Sequence, residues 1–586
     1  MMTPKRVLRC LLCFLLIAFY VAPIFSCDGS ETKSSLPEME DNDGILLDDD
    51  IDDDVNDDFV HDDDSDIDDD IDNDSGNDDI DDDTGDDDDL QPGFEAGYEY
   101  FLLEGEPAPP NPVTGAQTPP KFNTIPLFRF RLAEDIAQGV EPRPVQAVII
   151  LMPGFIAGAS QMFHLARNIV SLSEGRIEVW IPDRRHSLLE DQLGMDTAVA
   201  QNDPWIAYDY YFNGSEIEGR TFQEINAFGP ETDMMSEWGL DLQMHDIRRI
   251  VHLVPEMSRQ NNVFLGGDSR GVAFTQAFAA YEFEDGRLGS EDLAGLILWD
   301  GGVRDTPWFN ESWYVDDILR LQIRLLPRTV NTSSSDFFFL EVFGMVVTEG
   351  MGDPYDPALG PNGFFPDHGA FQMFYPLLTR FHNVTLTNEA FMGLYMDSGS
   401  MPYPSYMGHM GRLTGGEIDR DIFGEFPSEN GAEYSWLRWD ECDPPELMNI
   451  QNMAKMLYEG PSNFSDPYYS YRLDLDMAAA DFFETEGTWR HNYFHFYTSR
   501  VDVPVFAMSS LLFADTPHMS NYRSQIAPVR GQDRPRSEIG FTWIVKNEWS
   551  HLDSILMEPV NDDVLPNLVD WVDRWAQGEA RVPAFE

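Results

Sequence analysis

The sequence is poor in positive charge. Its 586 residues include 37 Lys and Arg against 105 Asp and Glu, which gives a formal net charge of −68. Residues 41–90 hold 28 Asp and no Lys or Arg, so the rest of the chain still carries a net charge of −40. Such a chain would repel a phosphate backbone rather than neutralise it, and we therefore expect no nucleic-acid partner.

Cysteine and metal-binding spacings are also scarce. A disulfide framework is not expected, because two of the four cysteines lie in an N-terminal leader; the four are Cys10, Cys13, Cys27 and Cys442. Neither an H-E-x-x-H helix nor a glycine-rich phosphate loop occurs in the sequence. We therefore expect no metal and no cofactor.

The N terminus has the form of an export signal. Three basic residues precede an apolar run over residues 10–25, which is short for a membrane-spanning helix of about 20 apolar residues. The run ends Ile24-Phe25-Ser26-Cys27, which resembles the bacterial lipobox. This resemblance implies a signal peptide over residues 1–27, lipidation of Cys27, and a bacterial envelope protein anchored to a membrane by lipid. The alternative is an ordinary cleaved signal and a secreted protein.

Residues 28–92 form an aspartate-rich segment. It has too few apolar residues to offset the entropy of folding, so we expect a disordered tether that self-repulsion extends. Asp oxygens suit Ca²⁺, but the ligand spacing of an EF-hand is not met. Weak Ca²⁺ condensation on the tether is the most that the composition predicts.

From about residue 93 the chain alternates apolar strands with amphipathic helices. The predicted strands are residues 145–152, 177–182, 262–266, 293–299, 503–508 and 541–545, preceded by an early edge strand within 122–132. The predicted helices are residues 161–172, 241–256, 272–280 and 564–575. This alternation predicts an α/β fold with a mostly parallel central sheet and helices on both faces.

Two segments interrupt the alternation. Residues 303–500 are rich in aromatic residues and methionine, and we interpret them as a large, mainly helical cap inserted into the core formed by residues 93–302 and 501–586. Residues 195–235 are predicted as a second, irregular insertion at the rim of the same cleft.

The pentapeptide Gly267-Asp268-Ser269-Arg270-Gly271 follows one predicted strand and opens a predicted helix. This is the context of a nucleophile elbow, in which a serine at a strained turn projects its hydroxyl above the sheet. Side chains two residues before and after the serine would collide, so glycine is needed there. Ser269 is therefore the candidate nucleophile.

Together with a late histidine, these features resemble the α/β-hydrolase superfamily, in its lipase and esterase branch. A glycine-rich turn over residues 153–159 follows the strand at 145–152, and Trp549-Ser550-His551-Leu552-Asp553 looks like the N-H-L-D signature of acid-lipase-type members. The resemblance covers about residues 95–300 and 500–580. It implies a serine hydrolase with the α/β-hydrolase fold.

The other catalytic positions follow from this resemblance. His551 is the candidate base, since it lies after the last predicted strand. The acid that orients it stays open between Asp300 and Asp515. The resemblance places the two oxyanion donors at the backbone N–H groups of Phe155 and Arg270.

One structural role is predicted for the side chain next to the nucleophile. We expect the Arg270 guanidinium to pair with a buried acid such as Asp183.

The residues favour one reaction and leave two alternatives open. We expect a serine carboxylic-ester hydrolase that acts on a small hydrophobic ester through an acyl-enzyme. A peptidase or amidase would use the same residues. A non-catalytic ligand-binding surface protein on a hydrolase scaffold is the third reading, since Pro153 replaces the histidine usual in that turn.

Overall fold

The computed structural model describes most of the chain beyond residue 93. The described residues are 94–139, 145–258, 260–302, 309–331, 335–359, 384–400, 407–421, 424–480, 484–514, 516–527 and 540–576. The predicted signal peptide with Cys27, the predicted tether and Asp515 all lie outside the described residues.

An eight-stranded sheet forms the centre of the fold. Its strands are β1 (Ala96–Glu104), β2 (Thr124–Leu132), β3 (Ala147–Met152), β4 (Ile177–Pro182), β5 (Val263–Asp268), β6 (Gly295–Trp299), β13 (Val505–Ser510) and β14 (Phe541–Lys546). Their order across the sheet is β1-β2-β4-β3-β5-β6-β13-β14. β2 runs antiparallel to both of its neighbours, and every other pair is parallel. The predicted fold class is confirmed.

Strand β2 is not the edge strand that its alternating sequence predicted. β1 pairs with it along its whole length and takes the edge position. The polar residues of β2 are buried in ion pairs instead: Arg129, 5% exposed, donates from Nε and Nη2 to the carboxylate of Glu178 at 2.9 and 2.8 Å. Polar residues at alternate positions therefore do not mark a solvent-facing side here.

Helices cover both faces of the sheet, as predicted. On one face, α2 (Phe163–Leu172) and α14 (Leu565–Ala576) pack into one apolar core; on the other, α5 (Leu240–Met257) and α6 (Arg270–Ala280) pack into a second. The remaining helices of these chain segments are α1 (Ala133–Ala137), α3 (Leu193–Gln201), α4 (Pro204–Phe212), α12 (His518–Gln525) and α13 (Asp553–Leu556). None of the helices among the described residues has the length and apolarity needed to cross a membrane.

Between β6 and β13 the chain forms helices and small sheets. The described helices are α7 (Glu311–Gln322), α8 (Ser335–Val347), α9 (Asn388–Met396), α10 (Ile450–Tyr458) and α11 (Tyr471–Ala480). A four-stranded sheet and a hairpin, which the sequence did not predict, are built from β7 (Pro357–Leu359), β8 (Thr385–Thr387), β9 (Gly411–Thr414), β10 (Ile418–Asp421), β11 (Gly424–Pro427) and β12 (Glu433–Arg438). Their short strands give little periodicity to detect.

The prediction of an irregular segment over residues 195–235 is only partly right, because residues 213–229 form no helix or strand but the chain on either side of them is helical. The chain there forms most of α3, all of α4 and a 3₁₀ helix, Pro230–Glu237. Tyr211 of α4 stacks on Phe338 of α8, with ring centroids 4.4 Å apart. Aromatic packing against the 303–500 insertion therefore stabilises helices whose own apolar pattern is weak.

The buried Arg129–Glu178 pair predicts a specific loss of stability. Glu178→Gln removes the buried carboxylate that binds the guanidinium and leaves only the partly exposed Glu99 at 3.8 Å. Breaking one side of a buried pair is expected to lower the free energy of unfolding by about 3 kcal/mol. Asp316→Asn is the control, because Asp316 and its partner Arg320 are about half exposed; such a pair contributes at most about 1 kcal/mol. Urea unfolding midpoints measure both, and equal shifts would contradict the assignment.

Candidate active site

Ser269 lies at a sharp turn between β5 and α6. Its φ of +55° and ψ of −117° are a strained conformation for a residue other than glycine. A methyl group at Gly267 would lie 2.4 Å from the carbonyl carbon of Gly271, and one at Gly271 would lie 2.0 Å from Met152 O. The two glycines therefore let strand, turn and helix approach closely enough to hold the serine at the tip.

His551 and Asp300 meet beside this turn. Asp300 directly follows β6, and His551 lies in the loop after β14. The His551 Nδ1 and Asp300 Oδ2 atoms are 2.5 Å apart, and Asp300 is fully buried. Ser510 fixes the same carboxylate, donating from its backbone N at 2.6 Å and from Oγ at 2.5 Å. Of the two candidate acids, the structure thus brings Asp300 to the imidazole, while Asp515 lies outside the described residues.

The other nitrogen of the His551 ring faces the elbow. His551 Nε2 lies 3.8 Å from Oδ2 of Asp268, the residue that precedes Ser269. Within the described part of the chain, no hydrogen bond joins Ser269 Oγ to His551. Contacts between a nucleophile and its base are often long without substrate and tighten in the complex. The arrangement therefore has the components of a triad in an open geometry.

The carboxylates change how His551 titrates. Burial alone would lower the pKa of His551, but the charge of Asp268 and the hydrogen bond to Asp300 raise it to about 9. Burial raises the pKa of Asp268 to about 7, against the opposing effect of the His551 charge. The imidazole is thus held as a cation over much of the neutral range, and it becomes a free base only as the pH rises.

The predicted oxyanion donors lie on two segments that meet at Ser269. Arg270 is the first residue of α6, so its N–H has no acceptor within the helix. The glycine-rich turn reaches the elbow at Gly154, where a methyl group would lie 3.3 Å from the Ser269 Cβ. Among the described residues, the Phe155 N–H donates to no protein group. Both amides are therefore available to a ligand.

Arg184, which the sequence analysis missed, orients this turn. It is 1% exposed and donates to Pro153 O at 2.6 Å, Gly154 O at 3.0 Å and Ala157 O at 3.0 Å. In a trans peptide the N–H points opposite to the carbonyl. Because Gly154 O points at the guanidinium, the Phe155 N–H is directed away from it. Only the position of Arg184 after β4, next to β3, hinted at this role.

The 303–500 insertion supports the same turn from another side. Gly158 N donates to Phe464 O at 2.7 Å, and Asp466 N donates to Ile156 O at 2.9 Å. Ile156 has a φ of +49°, a strained value for a β-branched residue. These backbone hydrogen bonds between the insertion and the turn help to hold that conformation.

The Arg270 side chain does not pair with Asp183, contrary to the prediction. It donates to Asp474 Oδ1 of α11 at 2.5 Å and lies over the Phe155 ring, 5.3 Å from its centroid. Asp183 instead accepts hydrogen bonds from Arg184 N and from Ser462. A partner 204 residues away in the chain is not readable from local sequence.

Aromatic rings line the surroundings of the candidate triad. The Phe155 ring packs edge-on against Tyr469, with centroids 5.2 Å apart, and Phe513 lies 5.8 Å from the His551 ring.

No group of three or more His, Cys, Asp or Glu within the described ranges is arranged to hold a metal ion.

The order of the strands and the site decide the fold. β2 alone is antiparallel, the elbow follows β5, and the acid and the histidine follow β6 and β14. The chain has the α/β-hydrolase fold. This architecture collects residues from distant parts of the chain at the carboxyl ends of its parallel strands.

Comparisons with known proteins find solved structures that are distantly similar to this chain. No family model and no curated protein matches the sequence. Among solved structures, a candidate lipase from Sulfolobus solfataricus is 14% identical, with a TM-score of 0.37, over 82% of this chain and 95% of that one. An esterase from Thermogutta terrifontis is 12% identical (TM-score 0.32; 82% and 100% covered). A peroxisomal α/β-hydrolase from Saccharomyces cerevisiae is 10% identical (TM-score 0.30; 85% and 94% covered). The fold assignment rests on the strand order and the elbow.

The Arg184 contacts predict a local loss of order on substitution. Arg184→Lys keeps the charge but cannot reach three carbonyl oxygens with a rigid fork. We expect faster amide hydrogen exchange over residues 153–159 and unchanged exchange in β4. Exchange followed by mass spectrometry measures both segments. Unchanged protection of residues 153–159 would show that Arg184 does not hold the turn.

Proposed function

We propose that the protein is a serine hydrolase that cleaves carboxylic esters through an acyl-enzyme. The observation that carries the proposal is the His551 imidazole, held by Asp300 at Nδ1 and facing the Ser269 elbow with Nε2. A serine hydroxyl is a weak nucleophile until a base takes its proton. The strained turn, the imidazole and the buried carboxylate supply the parts that this activation needs.

The proposed reaction has two halves. In the first, Ser269 Oγ attacks the ester carbonyl while its proton moves to His551 Nε2, and the imidazolium then gives that proton to the departing alcohol. In the second, water attacks the acyl-serine while its proton moves to His551 Nε2, and the imidazolium then returns that proton to Ser269 Oγ as the carbon–oxygen bond breaks and the acid is released. Asp300 stabilises the imidazolium in both halves. The N–H groups of Phe155 and Arg270 stabilise the oxyanion.

The surroundings of the site support a hydrophobic ester as the substrate. Phe155, Tyr469 and Phe513 place aromatic rings next to the turn and the imidazole. Burial of an apolar acyl or alkyl group against such rings is favourable, at about 25 cal/mol per Å². For a series of esters with increasing chain length, we therefore expect kcat/KM to rise with the length of the chain. The matching series of amides tests the peptidase alternative, which predicts that the amides are cleaved as well.

We also propose that the enzyme is tethered to the bacterial cell envelope through lipid on Cys27, with the aspartate-rich segment as a spacer. The supporting features are the signal-like leader, the lipobox-like tetrapeptide and the composition of residues 28–92. Stable anchoring needs more than one acyl chain or a second membrane contact. Incorporation of a labelled fatty acid that is lost in Cys27→Ala would support the anchor; a secreted, unlabelled protein would contradict it.

Ser269 is expected to be the residue that reacts with an active-site-directed phosphonate. A fluorophosphonate should label the wild-type protein and Ser520→Ala to the same extent, because Ser520 is an exposed serine on α12. It should not label Ser269→Ala, because the nucleophile is absent. Intact-protein mass spectrometry reads the adduct. Undiminished labelling of Ser269→Ala would refute the proposal.

Asp300 is expected to contribute much more to the rate than its neighbour Ser510. Asp300→Asn removes the charge that holds the tautomer and stabilises the imidazolium, and such a change lowers kcat by about 10⁴-fold in a serine triad. Ser510→Ala leaves the carboxylate but removes one of its hydrogen bonds, so a smaller loss, about tenfold, is expected. Steady-state kinetics on an activated ester separate the two. Equal losses would argue against Asp300 as the triad acid.

A further inference from the structure

The carboxylate of Asp268 is buried on the side of the His551 ring opposite to Asp300. It is fully buried, and its Oδ2 lies 3.8 Å from His551 Nε2. Asp300 Oδ2 binds the opposite nitrogen, Nδ1, at 2.5 Å. The imidazole therefore lies between two carboxyl groups, one on each nitrogen.

A side-chain amide fixes the Asp268 carboxyl in this place. Gln161 Nε2 donates to Asp268 Oδ2 at 3.0 Å, while Gln161 Oε1 accepts from Gly154 N at 2.6 Å. The same glutamine thus connects the glycine-rich turn over residues 153–159 to Asp268. The second oxygen, Asp268 Oδ1, is buried without a hydrogen-bond partner among the described residues. Neutral donors alone therefore do not satisfy this carboxyl, and the nearby imidazole is its strongest electrostatic partner.

We propose that Asp268 is a positioning residue that sets the basicity of His551 through its charge at the Nε2 side of the ring. This inference rests on the proposed function. The charge stabilises the imidazolium that forms when Ser269 gives its proton to Nε2. The same charge keeps the imidazole of the free enzyme protonated to higher pH. His551 is therefore a stronger base, but the enzyme is less active at acid and neutral pH.

Few charged or polar groups lie next to His551 and Asp268. His551 is faced by Asp268 at the end of β5 and by Asp300 after β6. Asp268 is faced by His551 and Asp300, by the neutral amide of Gln161 and by the backbone N–H of Ser269. Asp553, two residues after His551, points elsewhere: its carboxylate accepts from Ser550 N at 2.7 Å and lies 2.6 Å from His409 Nδ1. Asp553 is therefore a matched control, a buried acid at the start of α13, two residues from His551, that does not face the ring.

The direction of the effect follows from the pKa values. The pKa of His551 is raised to about 9, with Asp268 the largest of the causes that raise it. The neutral base is therefore lost as the pH falls through this value, and kcat/KM should fall with it. Without the Asp268 charge, the same loss should occur at lower pH, and the plateau at high pH should drop because the base is weaker.

The experiment is a pH titration of the His551 ring nitrogens by ¹⁵N NMR, with and without Asp268→Asn, in a Ser269→Ala background. An opposite charge at this distance shifts a pKa by about 1–3 units, so we expect the midpoint in Asp268→Asn to fall by at least about one unit. Asp553→Asn should leave the midpoint in place. An unchanged midpoint in Asp268→Asn, or an equal shift in Asp553→Asn, would overturn the inference.

A second measurement relates the NMR titration of His551 to catalysis. The acid limb of kcat/KM on an activated ester should move to lower pH in Asp268→Asn by the same amount as the NMR midpoint. If no ester is hydrolysed, the proposed function fails while the NMR titration still decides the role of Asp268. Should Asp268→Asn not fold, Asp300→Asn in the Ser269→Ala background gives the answer, because Asp268 is then the remaining carboxylate that raises the His551 pKa. A His551 midpoint in that variant clearly above the ordinary value of about 6.5 supports the inference, and one at or below it overturns the inference.

Discussion

A single strained residue determines how the rest of the site is arranged. Ser269 has a positive φ, which an L-residue adopts at a free-energy cost of about 1–3 kcal/mol, and it does so where β5 changes into α6. The turn is possible because Gly267 and Gly271 carry no side chain where the strand, the helix and Met152 O meet. The packing of both cores against β5, and of the second core against α6, stabilises a conformation that the local chain would not keep.

Electrostatics in the site follow from burial. Asp268, Asp300 and His551 are shielded from water, so each charge acts on the others more strongly than it would at the surface. Asp300 is well supplied with donors, since Ser510 binds both of its oxygens. Asp268 has Gln161 as its one side-chain donor within the described ranges. The two carboxyls therefore have different environments, and this asymmetry explains why they are expected to act differently on one imidazole.

The glycine-rich turn over residues 153–159 depends on contacts from distant parts of the chain. Arg184 binds three of its carbonyl oxygens, and residues 462–466 of the insertion pair with its backbone. The insertion thus supports the backbone of the glycine-rich turn. Removal of the insertion would leave Ile156 without the backbone partner that holds its strained φ.

The sequence was sufficient for the features that depend on local pattern. The buried strands, the flanking helices, the elbow and the late histidine follow from apolar runs and glycine spacing, and the structure places the strands within about two residues of their predicted bounds. Features set by distant contacts were not readable. The alternation in β2 hides a buried Arg129–Glu178 pair, Arg270 finds Asp474 rather than Asp183, and the choice of Asp300 depends on Ser510, 210 residues away. The edge strand β1 contains aromatic and aliphatic residues typical of a strand and was overlooked, whereas the small sheets of the insertion are built from short strands that give little signal.

The central claim is that an acyl group passes through Ser269 on its way from ester to acid. The most direct measurement is rapid acid quenching of the enzyme during turnover of an activated ester, followed by peptide mapping of the acylated residue. The account predicts an acyl group on the peptide that contains residues 267–271, at close to one per enzyme when deacylation is slow. Turnover with the acyl group on another residue would contradict it.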